Sequence, residues 1–115
     1  MAKFEIKDGV AIIPEGTTEI GDRAFCDRTS LKSITIPESV TKIRYSAFSC
    51  CSSLENITIP DSVTSIGEKA FEGCKSLTNI TFQGSIAQWE EIALDENWKN
   101  KVPTKVVHCT DGDVE

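Results

Sequence analysis

The sequence predicts one capped solenoid of stacked, near-identical coils, right-handed, with a short parallel β-sheet on one face. Three observations predict it. Residues recur every 23 positions: Pro14, Pro37 and Pro60; Ile20, Ile43 and Ile66; Ala24, Ala47 and Ala70; Phe25, Phe48 and Phe71; Leu31, Leu54 and Leu77. Each copy opens with an alternating apolar run, Leu31-x-x-Ile34-x-Ile36 or Leu54-x-x-Ile57-x-Ile59, the period of a strand with one face buried. A proline then ends the run, because it has no N–H to give a ladder. Self-similarity at a period of about 20–50 residues marks a stacked-repeat fold. No unit can bury its apolar face alone, so neighbours share one continuous core.

The elements follow in order. Over residues 1–13, Phe4-Glu5-Ile6 and Val10–Ile13 flank Lys7-Asp8-Gly9. Asp-Gly between apolar runs is a hairpin signal, so this segment reads as an N-terminal cap. Residues 14–84 hold about three full units. On the strands Ile34 and Ile36 point inward and Ser33 and Thr35 outward, and β-branched residues dominate as strands prefer. Thr41–Ile43 and Thr64–Ile66 read as short extended segments on the opposite side. Gly21 and Gly67 follow and permit a tight bend. Arg44 stands in that place in the middle copy, so positive φ is not required there. Asp22–Arg28, Tyr45–Cys51 and Glu68–Cys74 read as one turn of α- or 3₁₀-helix, its Ala-Phe pair plugging the core.

A solenoid end left open exposes its core, so residues 85–110 read as a C-terminal cap. Ser85 is placed to N-cap a helix carrying Ile86, Trp89, Ile92 and Ala93 on one face, with Gln88 completing a capping box. Lys99–Pro103 reads as a loop and Thr104–Cys109 as a last strand that extends the sheet. Residues 111–115 read as a polar, fraying tail. The whole chain of 115 residues is then one domain.

Bulk composition narrows the function. Twelve basic against eighteen acidic residues leave a net charge of −6, with no basic run. That argues against nucleic acid and anionic lipid, whose binding rests on Lys and Arg neutralising phosphate. The acidic excess suits basic partners, or simply keeps the protein in solution. No segment approaches the roughly 20 apolar residues of a membrane span, and Met1 to Glu5 lack a secretory pattern. Five cysteines leave at least one unpaired within the chain. These last two points favour a reducing interior, or a chain that has lost its leader.

The repeat resembles a leucine-rich repeat. Leu31/Ile34/Ile36/Ser39, Leu54/Ile57/Ile59/Ser62 and Leu77/Ile80/Phe82/Ser85 fit that pattern, with Ser in the Asn/Cys place. The finer resemblance is to the BspA-like subclass. Its motif, Ile-Pro-x-x-Val-x-x-Ile-Gly-x-x-Ala-Phe-x-x-Cys-x-x-Leu, runs almost letter for letter from Ile59 to Leu77. The middle copy departs at Arg44; the first has Thr17 for Val and Arg28 for Cys. The resemblance implies a protein-recognition module of bacterial cell-surface or secreted proteins such as adhesins. The competing reading is a structural spacer that self-associates without a dedicated ligand.

Candidate chemistry is sparse. The surface that stacked strands would present is a polar ladder of Ser33, Thr35, Asn56, Thr58, Asn79 and Thr81, held rigid so that little entropy is lost on binding. Cys51 and Cys74 share one repeat position on adjacent layers, within disulfide reach; the bland reading, small buried core residues, is the favoured one. Cys50 and Cys51 are adjacent and do not fit a zinc spacing. His108, the only histidine, has no legible Ser/His/Asp set around it, and Asp111, Asp113 and Glu115 lack the remaining ligands of a calcium loop. No catalytic residue, metal or cofactor is expected, and the chain is expected to be a monomer with a protein partner. Trp89 and Trp98 read as a lid on the last layer rather than as binding anchors.

Overall fold

In the computed structural model, residues 6–95, 97–104 and 106–115 are described. The chain winds into four coils. Its elements are β1 (Ile6–Lys7), β2 (Val10–Ile12), β3 (Glu19–Ile20), β4 (Ser33–Thr35), β5 (Lys42–Ile43), β6 (Asn56–Ile59), β7 (Ser65–Ile66), β8 (Asn79–Phe82), α1 (Ile86–Glu90), β9 (Ala93–Leu94), β10 (Val107–Cys109) and β11 (Gly112–Val114). The core is a column of like residues. Phe25, Phe48 and Phe71 are fully buried, and their rings stack at centroid distances of 5.3 and 5.0 Å, within 4° of parallel. Leu31, Leu54 and Leu77 are equally buried beneath the strands.

Each coil has three sides. One carries the long strands. It is built as two sheets, β1-β2-β4 and β6-β8-β10-β11, rather than as the single sheet the repeat suggests. Between β6 and β8 like pairs with like, Asn56 against Asn79 and Thr58 against Thr81, whereas β2 sets Val10 and Ile12 against Ser33 and Thr35. The second side is the parallel ladder β3-β5-β7-β9, in which Lys42 pairs with Ser65 and Ile43 with Ile66.

The third side differs from the expected helical turn. The amides of Arg23, Phe25 and Asp27 donate across to Tyr45, Ala47 and Ser49 of the next coil at 2.7–2.9 Å. The intervening amides of Ala24, Cys26 and Arg28 close tight turns onto Gly21, Arg23 and Phe25. Alternating the two directions requires left-handed backbone at Arg23, Asp27, Ser46, Cys50, Lys69 and Gly73, with φ between 52 and 75°. That conformation costs a non-glycine residue about 1–2 kcal/mol; the cross-coil bonds hold it in place. Gly21 and Gly67 do not have positive φ.

The caps follow the sequence with three amendments. At the N-terminus β1 and β2 are antiparallel, and Asp8 and Gly9 take φ of 52 and 82°, the paired left-handed turn that Asp-Gly favours. Phe4 and Glu5 lie outside the described residues. At the other end Ser85 caps α1: its Oγ accepts from Gln88 N–H at 3.1 Å, and Gln88 Oε1 accepts from Ser85 N–H at 2.8 Å. Asp111 Oδ1 accepts from Ile86 N–H at 2.8 Å, tying the chain end to the same helix. Replacing Ser85 with Ala is expected to cost about 1 kcal/mol, read as a lower urea midpoint at unchanged slope.

The amendments concern the C-terminal cap. The helix stops at Glu90, and Ala93, expected on its face, instead begins β9 against Ser65. The strand expected over Thr104–Cys109 is shorter, Val107–Cys109, and Lys105 lies outside the described residues. The expected tail is also a strand. Residues 112–114 fold back on β10, because Thr110–Asp111 turns the chain and Gly112 opens β11 at φ 147°.

The helix lengthens coil four. Val107 and His108 pair with Ile80 and Thr81, a step of 27 residues instead of 23. Trp98 takes the place of the column's next phenylalanine, edge-on to Phe71 at 6.0 Å and 82°, while Trp89 meets Phe82 and Trp98 at 5.2 and 5.6 Å. Both tryptophans are at least 93% buried. They close the stack as its lid and do not project as binding anchors.

Candidate functional site

The polar ladder expected on the strand face is present. Ser33, Thr35, Asn56, Thr58 and Asn79 are exposed, Thr81 is half-buried, and the alternate residues Ile34, Ile57 and Ile80 are buried. Period-two alternation does this: once the isoleucines enter the core, the residues between them must face water. Asn79 Nδ2 donates to Asn56 Oδ1 at 3.1 Å, the cross-strand contact that in-register pairing of identical residues creates.

The six residues do not form one uninterrupted array. Asn56, Thr58, Asn79 and Thr81 share a sheet, whereas Ser33 and Thr35 belong to the other, beside Val10 and Ile12. Ile12 is 71% exposed, so the ladder begins on an apolar step.

At its far end the face carries two residues that the sequence reading did not place in the ladder. His108 pairs with Thr81 and faces Asp113 across the terminal hairpin, with Nδ1 and Oδ1 2.8 Å apart. The row therefore reads Thr58, Thr81, His108, Asp113 along one sheet. The signal that finds them is the 27-residue step from Thr81 to His108, which the extra residues of α1 conceal. Chemically the row offers amides, hydroxyls, an imidazole and a carboxylate as hydrogen-bonding groups on fixed backbone. Among the described residues no three His, Cys, Asp or Glu side chains gather as a metal site.

Four of the cysteines lie elsewhere, on and under the third side, while Cys109 ends β10, and all five are free thiols. Cys51 Sγ–H donates to Phe25 O and Cys74 Sγ–H to Phe48 O, each at 3.0 Å. The Cys74 thiol beside Cys51, together with burial, pushes Cys51 well above the ordinary thiol range. Burial, and then Asp27, also raises Cys26. The two repeat cysteines are placed to bond the neighbouring coil's backbone, which is a structural task. Cys50 alone is exposed. An Ellman assay on the native protein is expected to titrate Cys50 first and Cys26 and Cys109 more slowly. Cys51 and Cys74 should react roughly a thousandfold slower or more, through global opening.

On the second side Arg44 Nε donates to Glu19 Oε1, joining coils two and one. That bond holds the Glu19 carboxyl below its usual range. Both side chains are more than a third exposed, so the pair adds little to folding.

The family comparison agrees with this architecture. Residues 8–103 match the family model described as BspA-type leucine-rich repeat region. No curated protein sequence matches the chain. Among solved structures, it is similar to a leucine-rich cell surface protein from Faecalibacterium prausnitzii A2-165. The identity is 27% and the TM-score 0.48, covering 79% of this chain and 36% of that one. It is also similar to a leucine-rich-repeat protein of T. pallidum at 17% identity and TM-score 0.38, covering 93% and 82% of the two chains. The chain thus spans about a third of the first protein's length.

Proposed function

This chain belongs to the BspA-type leucine-rich-repeat family, and from that membership we propose a non-catalytic protein-recognition module working at a bacterial cell surface. The observation that carries the reading is the register of the strand face. Asn56 with Asn79, and Thr58 with Thr81 and His108, stand in rows that backbone ladders hold fixed. A preorganised row of donors and acceptors binds with little ordering cost. Family membership supports the surface location, and no helix among the described residues is long and apolar enough to cross a membrane.

The test is capture of partners on the immobilised domain, followed by affinity measurement on single alanine variants. Asn56→Ala, Asn79→Ala and His108→Ala are expected to weaken a captured partner about tenfold each, which is about 1.4 kcal/mol. Unchanged affinity across the three would overturn the strand-face reading. The second reading, a spacer that associates with its own copies, draws on exposed Val10 and Ile12 at the start of the face. Sedimentation velocity at two concentrations decides it: a concentration-dependent shift supports association, and a constant monomer removes it.

A further inference from the structure

A second surface lies on the ladder β5-β7-β9 and is independent of the strand face. It is a groove of about 480 Å³ whose lining includes Lys42, Arg44, Tyr45, Ser65, Gly67, Glu68 and the stretch 93–95. Its origin is a departure from the repeat. At equivalent places coil two carries Lys42, Arg44 and Tyr45, whereas coil three carries Ser65, Gly67 and Glu68. Long side chains thus stand on coil two, and coil three sinks between it and coil four. The floor cannot be filled from within: a Cβ at Gly67 would come within 2.9 Å of the Arg44 carbonyl carbon and the Tyr45 nitrogen.

The charges of this groove are unevenly matched. At the coil-two end, Arg44 is bonded to Glu19, and Lys42 and Asp22 stand close by. Towards coil four, Glu68 and Asp95 are exposed carboxylates with no ion-pair partner among the described residues. Beside them are exposed Ala93 and Leu94, the latter 37% accessible, and half-buried Tyr45. An apolar ledge next to two unmatched carboxylates complements one kind of side-chain pair. The geometry points to a docking site for an extended protein segment that presents an arginine or lysine beside an apolar residue. The cationic head sits between Glu68 and Asp95, and the apolar group rests on Leu94 and Ala93. A cation suits this end electrostatically, and an anion is repelled by it.

The probe is a blocked tetrapeptide, Ala-Leu-Arg-Ala, with Ala-Leu-Gln-Ala as its neutral control, titrated into ¹⁵N-labelled protein. The expected result is amide shift changes at residues 42–45, 65–68 and 93–95, saturating for the arginine peptide at lower concentration than for the control. Glu68→Gln and Asp95→Asn should each weaken binding about threefold, as exposed charge pairs do, and added salt should weaken it further. Both positions are exposed, so the variants keep the wild-type spectrum elsewhere. Equal binding of the two peptides, or full affinity in both variants, overturns the proposal. Shifts confined to Asn56, Thr58, Asn79 and Thr81 also overturn it, while leaving the strand-face reading standing.

Discussion

Replacing Phe48 with Ala is expected to destabilise the domain by about 3–5 kcal/mol, the cost of removing a large buried ring from a packed core. Phe48 is fully buried and lies between Phe25 and Phe71, with both neighbours stacked on it. Cross-coil hydrogen bonds hold the backbone of the layers above and below, which limits their collapse into the void. Domains of this size hold about 5–15 kcal/mol in total. The single change therefore removes a large fraction, and the urea midpoint falls accordingly. A loss under 1 kcal/mol would mean that the column is not the core.

Trp98→Ala removes a similar amount of buried surface, about 3–5 kcal/mol by the same rule, but the expected outcome differs in kind. Trp98 sits on the last coil, edge-on to Phe71 and Trp89, and its carbonyl accepts from Phe71 N–H at 2.8 Å. Stacked repeats contact only their neighbours, so damage at an end frays that end. Hydrogen exchange is expected to accelerate across β9, β10 and β11 while amides of coils one and two keep their protection. Uniform acceleration through all four coils would show instead that the domain opens only as a whole.

The repeat, the inward isoleucines, the phenylalanine column, the Asp-Gly hairpin and the Ser85–Gln88 capping box were all legible in residue types, because each depends on local pattern. What was not legible depends on neighbours. The left-handed turns at Arg23, Ser46 and Lys69 express no residue preference; cross-coil hydrogen bonds impose them. Ala93 carries the same spacing from Trp89 and Ile92 that a longer helix would show, and only its partner Ser65 makes it a strand. The division between β4 and β6 leaves no trace in the sequence, since both copies carry the same Ile-Thr-Ile run. Of the candidate face, the six ladder residues could be named from the period. His108 and Asp113 could not, because the helix shifts the phase by four residues.

That phase shift also separates what can be copied from what cannot. Pro37 and Pro60 stand at equivalent points of successive coils, so an additional 23-residue segment spliced between them meets neighbours of its own repeat. Each such splice would lengthen the stack by about 4.8 Å and enlarge the outer face by another polar pair. Beyond Ser85 the pattern is out of step by four residues, so the same unit spliced there meets a different register. Duplication of that interior unit therefore leaves the segments on either side of it unaltered.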